Sequence, residues 1–197
     1  MSSTDAKSKP ALGFLTVVEH PQYGLFGGYL VLNLAGRPLE FHCTAPIKPN
    51  RAQEILYGPT LQSFLYGEQI GQTLLQQASI APLLVCTDQE PALAVREFAA
   101  TPIVLVLAPA GAAATGPAAQ SAAADEPGPV LRLDQAHHGP RLVTFELGRN
   151  RLALPERAEE DRGLVTARLA ELADSFDLAE PFQRIRAAIE EAQQAVR

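Results

Sequence analysis

Two uninterrupted apolar runs set the terms for this chain. PLLVCT (82–87) and PIVLVLA (102–108) show no polar alternation and are bounded by turn residues. A strand with one wet face alternates apolar and polar side chains. A strand that is apolar throughout must be covered on both faces, as strands in a helix-flanked parallel sheet are. Two such runs, separated by a helix near 89–99, predict the α/β class with layers packed on the sheet.

Upstream, residues 12–19 (LGFLTVVE) and 26–34 (FGGYLVLNL) read as strands joined by the turn His20-Pro21-Gln22-Tyr23-Gly24. A second turn, Ala35-Gly36-Arg37-Pro38, leads to a third strand at 39–44. There Leu39, Phe41 and Cys43 alternate with Glu40, His42 and Thr44, the period of a half-exposed strand. Short turns make these three strands an antiparallel meander. Pro46 and Pro49 end the extended chain. Asn50, with Gln53 three residues on, is the pattern of a capping box opening a short helix. Gly58-Pro59 breaks that helix and starts a longer one over about 60–79. The predicted architecture is a mixed sheet in βββαβαβ order.

Residues 109–129 are Ala, Gly and Pro with almost no large apolar group, too little to offset the entropy of ordering. They read as a linker or protruding loop. Beyond it, 130–134 (VLRLD) and 141–147 (RLVTFEL) read as two short strands, expected to complete the first sheet because two strands alone are unstable. The expected organisation is a disordered 1–10, an α/β core over 11–108, a linker over 109–129, two strands within 130–148 and a helical tail over 156–197. In the tail, Leu178, Phe182, Ile185, Ile189, Ala192 and Val196 recur at alternating spacings of four and three, and Val165, Leu169, Leu172 and Phe176 repeat the pattern one helix earlier. Such a stripe either folds back on the domain or offers Phe182, Ile185, Ile189 and Val196 as a seam for a partner or a second copy.

Composition narrows the function classes. A net charge of -6, with the Arg residues scattered and Lys48 with Arg51 the one basic pair within the α/β region, disfavours nucleic acid as a partner. Two cysteines, a polar beginning without an apolar signal core, and no apolar run of about 18 residues point to a cytoplasmic protein outside the membrane.

Three carboxylates draw attention. Glu68 falls near the centre of the apolar face that Leu61, Phe64, Leu65, Leu75 and Ala78 define on an ideal helical wheel, with Gln72 beside it. A carboxylate there needs a partner, a metal, or a role as a general acid or base. Asp88 follows a buried strand directly, where α/β sheets bind ligands, and equally precedes a helix it could cap. Glu19 closes the first strand. With the first strand paired to the fourth, Glu19, Glu68 and Asp88 could converge as a magnesium or manganese site. This placement over about residues 12–108 resembles the ribonuclease H-like fold. The resemblance implies metal-dependent nuclease chemistry, although the first-strand acid of that fold is normally Asp and here it is Glu19, followed by His20-Pro21.

Other features carry less. Cys43 and Cys86 end two strands and His42 precedes the first, without the spacing of a zinc site; buried small hydrophobes are the default. His137-His138 lie in a turn. The glycines of Tyr23-Gly24-Leu25-Phe26-Gly27-Gly28 lack the context of a phosphate loop and read as a bulge or as close backbone packing. The leading functional expectation is therefore a non-catalytic interaction or scaffolding module without a cofactor. Its partner would be an unknown protein, or a second copy engaged through the C-terminal helices. The alternative is the metal-dependent nuclease-like enzyme. A small-molecule sensor at the carboxyl ends of 82–87 and 102–108 is a third reading.

Overall fold

The computed structural model describes residues 10–108, 141–170 and 172–194. Within these, seven strands form one mixed sheet in the order β3-β2-β1-β4-β5-β7-β6. The meander is β1 (Ala11–His20), β2 (Gly24–Asn33) and β3 (Pro38–Cys43), each antiparallel to the last. β1 also pairs in parallel with β4 (Val85–Thr87), and β4 pairs in parallel with β5 (Ile103–Leu107). The two apolar runs thus occupy the middle of the sheet, buried on both faces. After residue 140 the chain rejoins the same sheet as a hairpin, β6 (Leu142–Leu147) and β7 (Asn150–Pro155), with β7 antiparallel to β5. The turn Gly148-Arg149 has positive φ at Gly148 alone, as a type II′ connection does. β7 falls on 150–155, where no element is expected from the sequence, and the expected strand at 130–134 lies outside the described residues, as do the 109–129 linker and His137-His138.

One face of the sheet carries helices from the middle of the chain. Asn50 caps α1 (Arg51–Tyr57) through the predicted box: its Oδ1 accepts from the Gln53 amide at 2.9 Å, and its own amide donates to Gln53 Oε1 at 3.0 Å. After the 3-10 turn Gly58–Thr60, the predicted long helix divides into α2 (Leu61–Ser63), a π-helical stretch (Phe64–Gln72) and α3 (Thr73–Gln77). A 3-10 helix, Glu90–Glu97, replaces the helix expected at 89–99. Glycines let these pieces pack closely. A Cβ on Gly67 would stand 2.6 Å from Ala94 Cβ, so helix and 3-10 segment meet backbone to backbone. Leu65, Ile70, Leu74, Leu93 and Val95 fill this layer against Leu15, Val17, Tyr29 and Val31 of the sheet.

The opposite face carries α4 (Asp161–Leu169) and α5 (Glu180–Gln194). Phe182, Ile185 and Ile189 are buried against Phe14, Leu30 and Leu32, together with Val165, Leu169 and Leu178. The C-terminal stripe therefore folds back on its own domain, and three of its four proposed docking residues are core; the fourth, Val196, lies outside the described residues. Gly28 makes this contact possible, because a Cβ there would sit 2.2 Å from Ile185 Cγ2. On the other face a Cβ on Gly27 would meet Ile70 at 2.1 Å. The glycine pair of β2 is where both layers press on the sheet, which is the close-packing reading of that segment.

Candidate functional site

The three carboxylates singled out from sequence do not come together. Asp88 lies on the α5 side of the sheet, where it accepts from Thr16 Oγ1 at 2.7 Å and pairs with Arg186 of α5. It caps nothing: the residue preceding the 3-10 helix is Gln89, whose side chain instead spans β1, accepting from Val17 N at 2.7 Å and donating to Val17 O at 2.8 Å. Asp88 is thus a tie between β1, β4 and α5, its charge matched by a guanidinium.

Glu19 is exposed at the far end of β1, on the face of Leu15 and Val17, and its charge reaches Tyr66 of the π stretch. Burial first, and then that charge, raise the Tyr66 phenol above its ordinary range. Glu68 is exposed too, on the wall of an open cleft of about 590 Å³ shared with Glu90, Arg141 and Arg157. The ideal wheel misplaced it because an α-helix turns once in about 3.6 residues, whereas π bonding closes on the fifth residue and widens each turn. The buried positions become Leu65, Ile70 and Leu74, and Glu68 rotates out. Among the described residues no three His, Cys, Asp or Glu side chains are grouped so that they could hold a metal ion.

The cysteines divide. Cys86 is fully buried in β4, and burial pushes its thiol well above the usual range, as befits a small apolar core residue. Cys43 is exposed, contrary to the default expectation, and it belongs to a surface that sequence reasoning did not single out.

That surface is the edge strand β3. Among the described residues β3 is the outermost strand on its side of the sheet. Thr44 N donates to Gly27 O at 3.0 Å, so residues in phase with Thr44 direct their backbone groups inward to β2. Phe41 and Cys43, out of phase, direct N–H and C=O to the open edge. Their side chains share the α5 side of the strand, and the β2–β3 ladder shifts register at Leu39, between the Val31–Glu40 and Leu32–Pro38 pairs. α5 packs chiefly on β1 and β2 and leaves β3 uncovered there. Phe41 is consequently 40% exposed and Leu39 42%. Beside Cys43 the uncovered strip deepens into a largely apolar groove of about 390 Å³, walled by Tyr23, Phe26, Pro46, Ile189 and Ala192.

The other side of β3 is tied down. Glu40 accepts from the backbone amides of Ser79 at 3.1 Å and Ile80 at 3.3 Å, across from α3. Burial opposes its ionisation, but the Ile80 and Ser79 amides outweigh that and hold the carboxyl below its ordinary value. The neighbouring His42 Nε2 is buried and makes no hydrogen bond among the described residues, standing 3.5 Å from the Glu40 carboxylate. The alternation of 39–44 was legible in sequence; that this strand is an edge required the strand order.

Compared with known proteins, the chain matches no family model and no curated protein sequence. No helix among the described residues is long and apolar enough to cross a membrane.

Proposed function

We propose that this protein is a non-catalytic interaction module that assembles with a second copy of itself along β3. The observation that supports the reading is the exposed apolar edge: Leu39 and Phe41 stand out of the surface on a strand whose outer backbone groups face away from the sheet. Such an edge, free of charged or proline guards between Leu39 and Cys43 on its apolar side, is a template for strand addition.

The strand is complementary to itself. An antiparallel pairing about a two-fold axis at Phe41 sets Phe41 opposite Phe41 as a hydrogen-bonded pair, in agreement with its outward backbone. It sets Leu39 opposite Cys43, so that Leu39 of the second copy enters the groove beside Cys43. It sets Glu40 opposite His42 at a closely spaced pair, so that the carboxylate of the second copy joins the one already 3.5 Å from His42 Nε2. Each patch meets its own copy, which is the isologous geometry of a closed dimer.

Sedimentation velocity of the wild type, Phe41→Lys and Leu56→Lys tests this. Leu56 is 82% exposed and belongs to α1 rather than to the edge strand, so it is the control. The wild type and Leu56→Lys sediment as dimers at 100 μM or so, a concentration ordinary for μM-range association, and Phe41→Lys sediments as a monomer with an unchanged circular dichroism spectrum. A monomeric wild type, or a dimer lost in Leu56→Lys and kept in Phe41→Lys, overturns the proposal.

A further inference from the structure

Glu40 and His42 lie two residues apart on the α3 side of β3, with His42 Nε2 3.5 Å from the Glu40 carboxylate. Both side chains are partly sheltered, 17% and 26% exposed respectively. Among the described residues the imidazole meets no second charge. Its cross-strand partner on β2 is Tyr29, whose phenol is raised well above its ordinary range by burial and then by Glu40, so it stays neutral. On the side of α3, residues 73–80 include no ionisable side chain.

Pairing about a two-fold axis at Phe41 changes these surroundings. Each Glu40 then stands opposite the other copy's His42, with roughly 5 Å between Cβ atoms at a closely spaced pair. Four ionisable groups surround the axis. When both imidazoles are protonated their signs alternate, and every His42 has one carboxylate along its own strand and another across the axis. With neutral imidazoles the two Glu40 carboxylates approach each other with no positive charge between them. Nε2 itself is buried, so the second carboxylate acts on the charge of the ring through space and not as a hydrogen-bond partner of that nitrogen. Burial opposes the ionisation of Glu40, but the Ile80 and Ser79 amides hold its carboxyl below the ordinary value. Glu40 therefore remains a carboxylate throughout the range in which histidines titrate.

We propose that protonation of His42 strengthens assembly along β3, so that the edge is a pH-dependent interface. This inference rests on the strand pairing described under the proposed function and adds its regulation. The sign follows from linkage. An imidazole between two carboxylates holds its proton more firmly than one beside a single carboxylate, so two copies take up protons as they pair. Association therefore strengthens as pH falls through the imidazole range, from about pH 8 to about pH 5.

Sedimentation equilibrium of the whole protein between about pH 8 and about pH 6 tests this. The dimer dissociation constant of the wild type falls about tenfold, the gain that two cross-strand pairs of opposite charge supply together. Falling pH also lowers the net negative charge of both copies, but His42→Gln keeps that effect, so the difference between the two slopes belongs to His42. His42→Gln and Glu40→Gln both lose most of the tightening. Dilution calorimetry near neutral pH, in two buffers of different ionisation enthalpy, reads the same coupling without any substitution, and dissociation of the wild type releases protons. A wild-type constant that is flat or rises as pH falls, a slope in His42→Gln equal to that of the wild type, or dissociation without proton release overturns the proposal. Absence of a dimer at every pH overturns the β3 pairing and this inference with it, whereas a dimer without pH dependence overturns this inference alone.

Discussion

Asn150 does more for this structure than its place at a strand start suggests. It is buried, its Nδ2 donates to the carbonyls of Ala173 at 3.1 Å and Phe176 at 3.0 Å, and its Oδ1 accepts from Leu178 N at 3.0 Å. One side chain thereby satisfies three backbone groups of the segment leading into α5. Asn150→Ala leaves all three without that partner at ~1 kcal/mol each, a loss of roughly 2–3 kcal/mol in urea unfolding. Gly28 is the second sensitive position. Gly28→Ala drives a methyl into Ile185, and overpacking of this kind destabilises by about 1–3 kcal/mol, measured in the same way. Neither role is legible in the sequence. Asn150 bonds residues more than twenty positions away, and a glycine in a strand announces close approach without saying what approaches. The same holds for Asp88, whose counter-ion Arg186 is 98 residues distant.

At the scale of elements, what can be read early and what cannot divide along physical lines. The buried strands, the meander and the capping box depend on local composition and spacing, and the structure has them. The π stretch depends on tertiary packing: Gly67 and Gly71 lie against the 3-10 helix, and nothing in the local period of residues 60–79 distinguishes a widened turn from an α-helical one. Glu68 departs from the ideal wheel for that reason alone. α5 is an element whose stripe was legible while its destination was not. Because Ile185 is fully buried between α5 and the sheet, Ile185→Ala destabilises by about 2–5 kcal/mol, read from urea unfolding.

β3 makes a prediction about pH. The folded-state pKa of Glu40 lies below its ordinary value of 4.5, so the stabilisation it supplies is complete above that value and disappears as pH falls through the lower, folded one. Glu40→Gln flattens the acid limb of the stability profile, followed by urea midpoints from neutral pH downward. A variant that keeps the full acid slope contradicts the tie between Glu40 and the Ser79 and Ile80 amides.

At the scale of the molecule, the two sides of the sheet end differently. β6 is the edge on one side, beyond the β5–β7 ladder, and β3 is the edge on the other, where Leu39 and Phe41 are exposed and α5 does not cover them. The exposed edge at β3 is the feature on which the proposed assembly rests. The half-exposed alternation of 39–44 carried the signal from the outset, but its meaning depended on which strand lay outside. The most direct measurement is amide hydrogen exchange at Phe41 and Cys43 as a function of protein concentration, with Thr44 as the internal reference because its amide is already bonded to Gly27 O. With assembly along β3, Phe41 and Cys43 exchange rapidly in dilute protein and become protected as concentration rises, while Thr44 stays protected throughout. Exchange at Phe41 and Cys43 that is equally fast at every concentration contradicts it.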